Sequence, residues 1–174
     1  MSTRGGDGTT LETGSAEETR AIGRALGRRL RPGDCVALTG ELGTGKTQLV
    51  KGIAEGLGID PRDVASPTFV LHAVYEGRLT LHHLDAYRLR GAREFEDLAV
   101  EENLVSGGVA VIEWADRVRE ALPDARVEIV LEHAGGDRRR VTMRTVGLDH
   151  LDLSAVAREA RTGHAIHATG RQKG

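Results

Sequence analysis

A three-layer α/β fold on a mainly parallel central sheet, with antiparallel strands at its flanks, is predicted by three features of the 174-residue sequence. Cys35-Val36-Ala37-Leu38-Thr39 and Val109-Ala110-Val111-Ile112 are short unbroken apolar runs, as strands buried on both faces of a parallel sheet require. A glycine-rich octapeptide follows the first run at once and leads into a helical pattern from Lys46 to Leu57, closed by Gly58. Arg126 to Glu132 and Arg139 to Thr145 alternate apolar with polar residues across Ala134-Gly135-Gly136-Asp137, which predicts an antiparallel hairpin with one wet face.

The remaining elements follow in order. Residues 1–12 are rich in glycine and threonine and predict a flexible start. Ser15-Ala16-Glu17-Glu18 has the form of a capping box, and Ala21, Ile22, Ala25, Leu26 and Leu30 recur at helical spacing until Pro32-Gly33 ends the element. Val70 to Tyr75 and Arg78 to Leu84 are strand candidates joined by Glu76-Gly77, a pair suited to a tight turn. Phe95 to Leu104 predicts a helix, Asp116 to Leu122 a short one stopped by Pro123, and Leu151 to Ala160 a last one. A polar, weakly patterned tail, residues 161–174, is expected to be flexible, which leaves one nucleotide-binding domain over residues 13–160.

Composition narrows the function classes. Apolar residues make up 39%, and the formal charge of -2 is nearly balanced, so no overall field demands a nucleic acid or a membrane. Lysine occurs only at Lys46, Lys51 and Lys173, a bias that genome base composition explains as well as function does. The single cysteine, Cys35, lies in an apolar run and reads as a small buried residue rather than a nucleophile. With no apolar stretch resembling a signal peptide or a membrane span, a cytoplasmic protein is expected.

Gly40-Glu41-Leu42-Gly43-Thr44-Gly45-Lys46-Thr47 satisfies the P-loop pattern G-x-x-x-x-G-K-[ST] and sits between a buried strand and a helix, as the mechanism requires. Its glycines let successive amides point at phosphate oxygens, and the helix start adds partial positive charge. Lys46 is expected to bridge the β- and γ-phosphates of a purine triphosphate, and the Thr47 hydroxyl to take one magnesium position. A P-loop site needs an acid as well. Glu113 closes Val109 to Ile112 as a Walker B acid does, the alternative being a surface acid after a strand; Asp85 closes Leu79 to Leu84 and by pattern is as easily an edge-strand acid. Ser66-Pro67-Thr68-Phe69 is either a γ-phosphate-sensing switch or a plain helix-to-strand turn. His82 and His83 must face opposite ways on a strand, with no Cys or third His nearby, which argues against zinc. Trp114 is either a packing residue or, beside Glu113, a cover over part of the site, and Arg138-Arg139-Arg140 is either a solvated hairpin end or a contact to a nucleotide or an RNA backbone.

Taken together, Glu41 to Thr47, Lys51-Gly52, Leu57-Gly58, Ser66 to Phe69, His83-Leu84-Asp85-Ala86-Tyr87-Arg88-Leu89 and Glu113-Trp114 resemble, in order, the motifs of the TsaE family, formerly YjeE, over roughly Thr13 to Thr145. The resemblance implies a bacterial ATPase needed for threonylcarbamoyladenosine, the modified base beside the anticodon of tRNAs that read codons beginning with A. It implies ATP and Mg2+ as cofactors and the complex of TsaD with TsaB as partner, tRNA being reached through that complex, with no membrane or DNA involved. On this resemblance Gly40 to Thr47 hold the nucleotide, Thr47 and Glu113 the magnesium, and Asp85 supports catalysis beside Lys46 and Glu113, while Thr13 and Arg138 to Arg140 contact the nucleotide. Two other readings stand beside it: a small-molecule P-loop kinase, for which the segment between Asp85 and Val109 offers little room for lid and acceptor pocket, and a nucleotide-gated binding module.

Overall fold

The structure, a computed structural model, describes residues 8–67 and 71–170, with side chains as far as residue 163. Its elements are β1 (Thr9–Thr13), α1 (Ala16–Gly27), β2 (Cys35–Gly40), α2 (Lys46–Gly56), β3 (His72–Tyr75), β4 (Leu81–Asp85), α3 (Ala92–Glu96), α4 (Val100–Val105), β5 (Val109–Glu113), β6 (Arg126–His133), β7 (Arg139–Val146) and α5 (Leu153–Gly170). Two 3-10 segments, Pro61–Asp63 and Ala115–Ala121, complete the described residues.

The strands form one sheet in the order β1-β7-β6-β2-β5-β4-β3. β6, β2, β5 and β4 run parallel in the middle, and β1, β7 and β3 pair antiparallel at the flanks, as the sequence predicts. One face of the sheet packs under α1, α2 and α5 through Leu26, Leu38, Ile53, Val111, Ile129 and Val156. The other carries Cys35, Ala37, Leu84 and Ile112 against Phe95, Leu104 and Val118. Both apolar runs therefore bury alternate residues on opposite faces. No helix among the described residues is long and apolar enough to cross a membrane.

Tertiary contacts move several boundaries. Within residues 1–12, where a flexible start is expected, residues 9–12 belong instead to the strand Thr9–Thr13; its period-two pattern seats Leu11 in the core while β1 adds to β7. Residues 1–7 lie outside the described ones. The tail expected to be flexible from 161 is helical to Gly170, since α5 continues past its buried Val156, Ala157 and Ala160. The tight turn at Glu76-Gly77 is a five-residue loop, held by Arg78: its amide donates to Leu57 O at 2.6 Å and its guanidinium to Gly27 O and Leu30 O at 2.9 and 3.2 Å. The last carbonyl of α1, that of Gly27, is satisfied there. The helix predicted over Phe95 to Leu104 is broken at left-handed Ala99. On a continuous helix Phe95 and Val100 would point about 140° apart, yet both must reach the same core. Ser15 caps α1 as expected, accepting from Glu18 N at 3.2 Å, while the Glu18 carboxylate accepts from Gly14 N at 2.6 Å.

Glycines bring α1 and α2 into backbone contact. A Cβ at Gly23 would meet Leu49 O at 2.2 Å, at Gly27 Ile53 O at 2.3 Å, at Gly52 Arg20 O at 2.1 Å, and at Gly56 Arg24 O at 2.4 Å. Two glycines spaced by four on each helix thus interlock, and Arg20 and Arg24 clamp the pair by ion pairs to Glu55. The helix bearing Lys46 and Thr47 is in this way fixed to the helix behind it.

Burial pushes the Cys35 thiol up to about 12, with nearby Arg126 opposing and Asp34 adding to the effect. At pH 8 the thiolate fraction is then about one in ten thousand. Folded protein is expected to resist iodoacetamide that labels it fully in guanidinium; rapid labelling of the folded form, followed by mass spectrometry, would refute the buried assignment.

Candidate nucleotide site

Four segments converge at the carboxyl ends of the parallel strands. The P-loop leaves β2 at Gly40 and enters α2 at Lys46 through two left-handed glycines, Gly43 at φ 78° and Gly45 at φ 96°. A side chain at either would strain the turn. At Gly40 a Cβ would meet Leu131 O at 2.7 Å and Thr44 Oγ1 at 2.8 Å, so the loop is tight against β6. No side chain caps the α2 N-terminus, and its first turn carries no acid. That combination leaves the positive end of α2 to an anion, and the loop fits a phosphate chain.

β4 and β5 are paired with Asp85 beside Glu113. β4 is covered by β3, so Asp85 is not on an edge strand. Both acids are buried, at 3% and 2% exposure, yet they line a cleft of about 450 Å³ together with Lys46, Thr47, Ser66 and Trp114. A hydroxyl, two carboxylates and room beside a phosphate loop are hard oxygen donors of the kind Mg2+ takes. Asp85 Oδ1 accepts from Tyr87 N at 2.8 Å, and Glu113 Oε2 lies 3.2 Å from His83 Nε2.

Lys46 Nζ donates to Gly40 O at 2.5 Å and Glu41 O at 2.8 Å, and lies 4.3 Å from the centre of the Trp114 ring. Burial holds its pKa below the usual lysine value, although Glu113, Asp85 and Asp116 pull it up. Trp114 itself is left-handed, at φ 57°, and packs against Tyr87 with ring centres 4.9 Å apart and planes tilted by 49°. Leu42, at the loop tip, is 85% exposed.

On the other side of the loop a second cavity, of about 450 Å³, is walled by Gly14, Ser15, Thr19, Gln48, Asp137 and Arg139. Arg139 reaches from the β6–β7 hairpin to Gly43 O at 3.4 Å. Thr13 is at this end of β1, but its hydroxyl is buried against Thr19 Oγ1 at 2.9 Å and does not line the cavity. Arg140 instead pairs with Glu12 at 3.5 Å.

The structure thus gathers Gly40 to Thr47, Asp85 and Glu113 in one place, with Ser66 at the cleft wall. Thr68 and Phe69 lie outside the described residues. His82 turns to His72, ring nitrogens 3.0 Å apart, while His83 faces Glu113. Sequence reasoning weighed His83 only as a zinc ligand and as part of a family motif and missed its contact with Glu113, as it missed Gln48 and Thr19; the signal was the i, i+2 spacing of His83 from Asp85, which puts both on one face of β4.

The profile of the family described as "Threonylcarbamoyl adenosine biosynthesis protein TsaE" matches residues 13–141. This chain belongs to the TsaE family. The tRNA threonylcarbamoyladenosine biosynthesis protein TsaE of Treponema pallidum is 46% identical over 129 residues, covering 74% of this chain and 95% of its own. The protein of the same name from Bacillus subtilis is 45% identical over 136 residues, 78% and 84% of the two chains. Among solved structures, that of Bacillus subtilis YdiB superposes with a TM-score of 0.72 at 34% identity, covering 91% of this chain and 97% of that one. The P-loop, both acids and the β6–β7 hairpin up to Val141 fall within the matched span, whereas α5 falls outside it.

Proposed function

We propose that this protein is the ATP-binding and ATP-hydrolysing subunit required for threonylcarbamoyladenosine modification of tRNA, acting with TsaD and TsaB in the cytoplasm. The observation that carries the reading is the convergence of Lys46, Thr47, Asp85 and Glu113 on one cleft beside an uncapped helix start. Membership of a family named for that biosynthesis supplies the pathway.

In this reading the P-loop amides and Lys46 bind and orient the phosphates, and Thr47 and Glu113 would hold Mg2+, which would supply charge to offset that of the reacting phosphoryl oxygens. Asp85 lies next to Glu113 and orients groups at the reacting end. The nucleoside lies on the Thr19 and Arg139 side of the loop. Lys46 leaves its resting carbonyls and Trp114 when phosphates arrive. The free protein is a slow ATPase because water-positioning and charge-stabilising groups come from the partner. The threonylcarbamoyl transfer itself belongs to the partner complex.

ATP hydrolysis by the purified protein, alone and with purified TsaD and TsaB, tests the reading. A rate that rises only with both partners supports it. An unchanged rate despite demonstrated complex formation moves the assignment to a kinase or to a nucleotide-gated binding module.

A further inference from the structure

Glu113 is held in place by a histidine that no phosphate chemistry requires. His83 is wholly buried on the β4 face that also carries Leu81 and Asp85, and its Nε2 lies 3.2 Å from Glu113 Oε2. A carboxylate only accepts, so Nε2 carries the hydrogen and donates it. Nδ1 then has no hydrogen-bond partner among the described residues. Leaving a buried polar atom without a partner is costly, and an apolar side chain such as the Leu81 two residues earlier on the same face would pack there without that cost. The compensating gain is at Glu113, 2% exposed, whose charge would otherwise sit in the interior with little to hold its orientation.

We infer that His83 is a positioning residue for the proposed metal site: its Nε2–H pins one oxygen of Glu113 and so aims the carboxylate at the cleft shared with Thr47 and Lys46. The inference rests on the nucleotide-site reading above. It extends the functional pair of β4 and β5 to a column of three, His83 and Asp85 on one strand and Glu113 beside them on the next.

The test is Mn2+ affinity of the ADP complex of the full chain, read by electron paramagnetic resonance without turnover, alongside the melting temperature. His83→Leu is expected to weaken Mn2+ binding at least about tenfold, the usual effect of losing a partner of a metal ligand, while metal-free ADP binding stays unchanged. His83→Gln, whose amide nitrogen reaches as far as Nε2, is expected to stay within about threefold of wild type, and His83→Asn, whose amide stops at the Nδ1 position, to fall with the leucine variant. Should His83→Leu not fold, the glutamine and asparagine variants decide: equal Mn2+ affinity in both overturns the inference, as does wild-type affinity in a folded leucine variant. If the wild-type ADP complex binds no Mn2+ at all, the nucleotide-site reading itself fails.

Discussion

Replacing Lys46 by alanine is expected to lower ATP hydrolysis by about 10²–10³-fold, the scale for losing one preorganised charged donor at a reacting centre. The ammonium is already largely removed from water by two loop carbonyls and the Trp114 ring, so little further desolvation is needed when it turns to phosphate oxygens. Much of its interaction is therefore available to the transition state. Lys46→Arg is not expected to rescue, because a longer planar guanidinium does not fit the slot between Gly40, Glu41 and Trp114. Phosphate release under saturating ATP gives the rate, and the fluorescence of Trp114, the one tryptophan, reports whether nucleotide still binds. Hydrolysis within a few-fold of wild type in Lys46→Ala would exclude the P-loop as the site of chemistry.

Gly52→Ala is expected to destabilise the protein by about 3 kcal/mol, near the upper end for overpacking by a single methyl. Helix propensity alone favours alanine by about 1 kcal/mol, so the sign rests on the contact. The new methyl would stand 2.1 Å from Arg20 O, a backbone atom on α1 that cannot rotate away. Relief requires α1 and α2 to part, which breaks the neighbouring contacts at Gly23 and Gly56 and loosens Arg20 and Arg24 from Glu55. For a chain of this size the melting temperature should fall by roughly 6–12 °C. Gly163→Ala in α5, where a Cβ meets nothing within 4 Å, is the matched control and should be neutral or stabilising. Equal melting temperatures for the two variants would show that the helices have slack between them.

The parts of the site legible in sequence are those whose chemistry is local. Gly40 to Thr47 form a contiguous motif, Glu113 terminates an apolar run and Asp85 a strand pattern, so both acids read as lying at strand ends, although for Asp85 the pattern left an edge strand equally open. The distant pairings were not legible. That β1 docks on β7 depends on a partner more than a hundred residues away, and Thr9–Thr13 is too short to show a decisive pattern alone. The break at Ala99 is set by the position of the core, not by any breaker residue in Phe95 to Leu104. The interlock of α1 with α2 was written in glycines, yet spacing within one helix says nothing about which helix they face. The contact of His83 with Glu113 was not legible because a packed histidine and a hydrogen-bonding one look alike until the partner is seen.

The placement of β1 has a consequence for how the chain matures. Thr9 pairs with Met143 and Thr13 with Arg139, so the first described strand to leave the ribosome must wait for the last. The central strands and the P-loop can assemble meanwhile, since β5 and β6 are synthesised earlier than β7. The wall of the second cavity cannot, because Gly14 to Thr19 and Asp137 to Arg139 meet only once that edge closes. Pairings of such long sequence separation form late. A newborn chain therefore gains its phosphate loop before it gains the surface proposed to hold the nucleoside, and competence to retain nucleotide marks the end of folding rather than its middle.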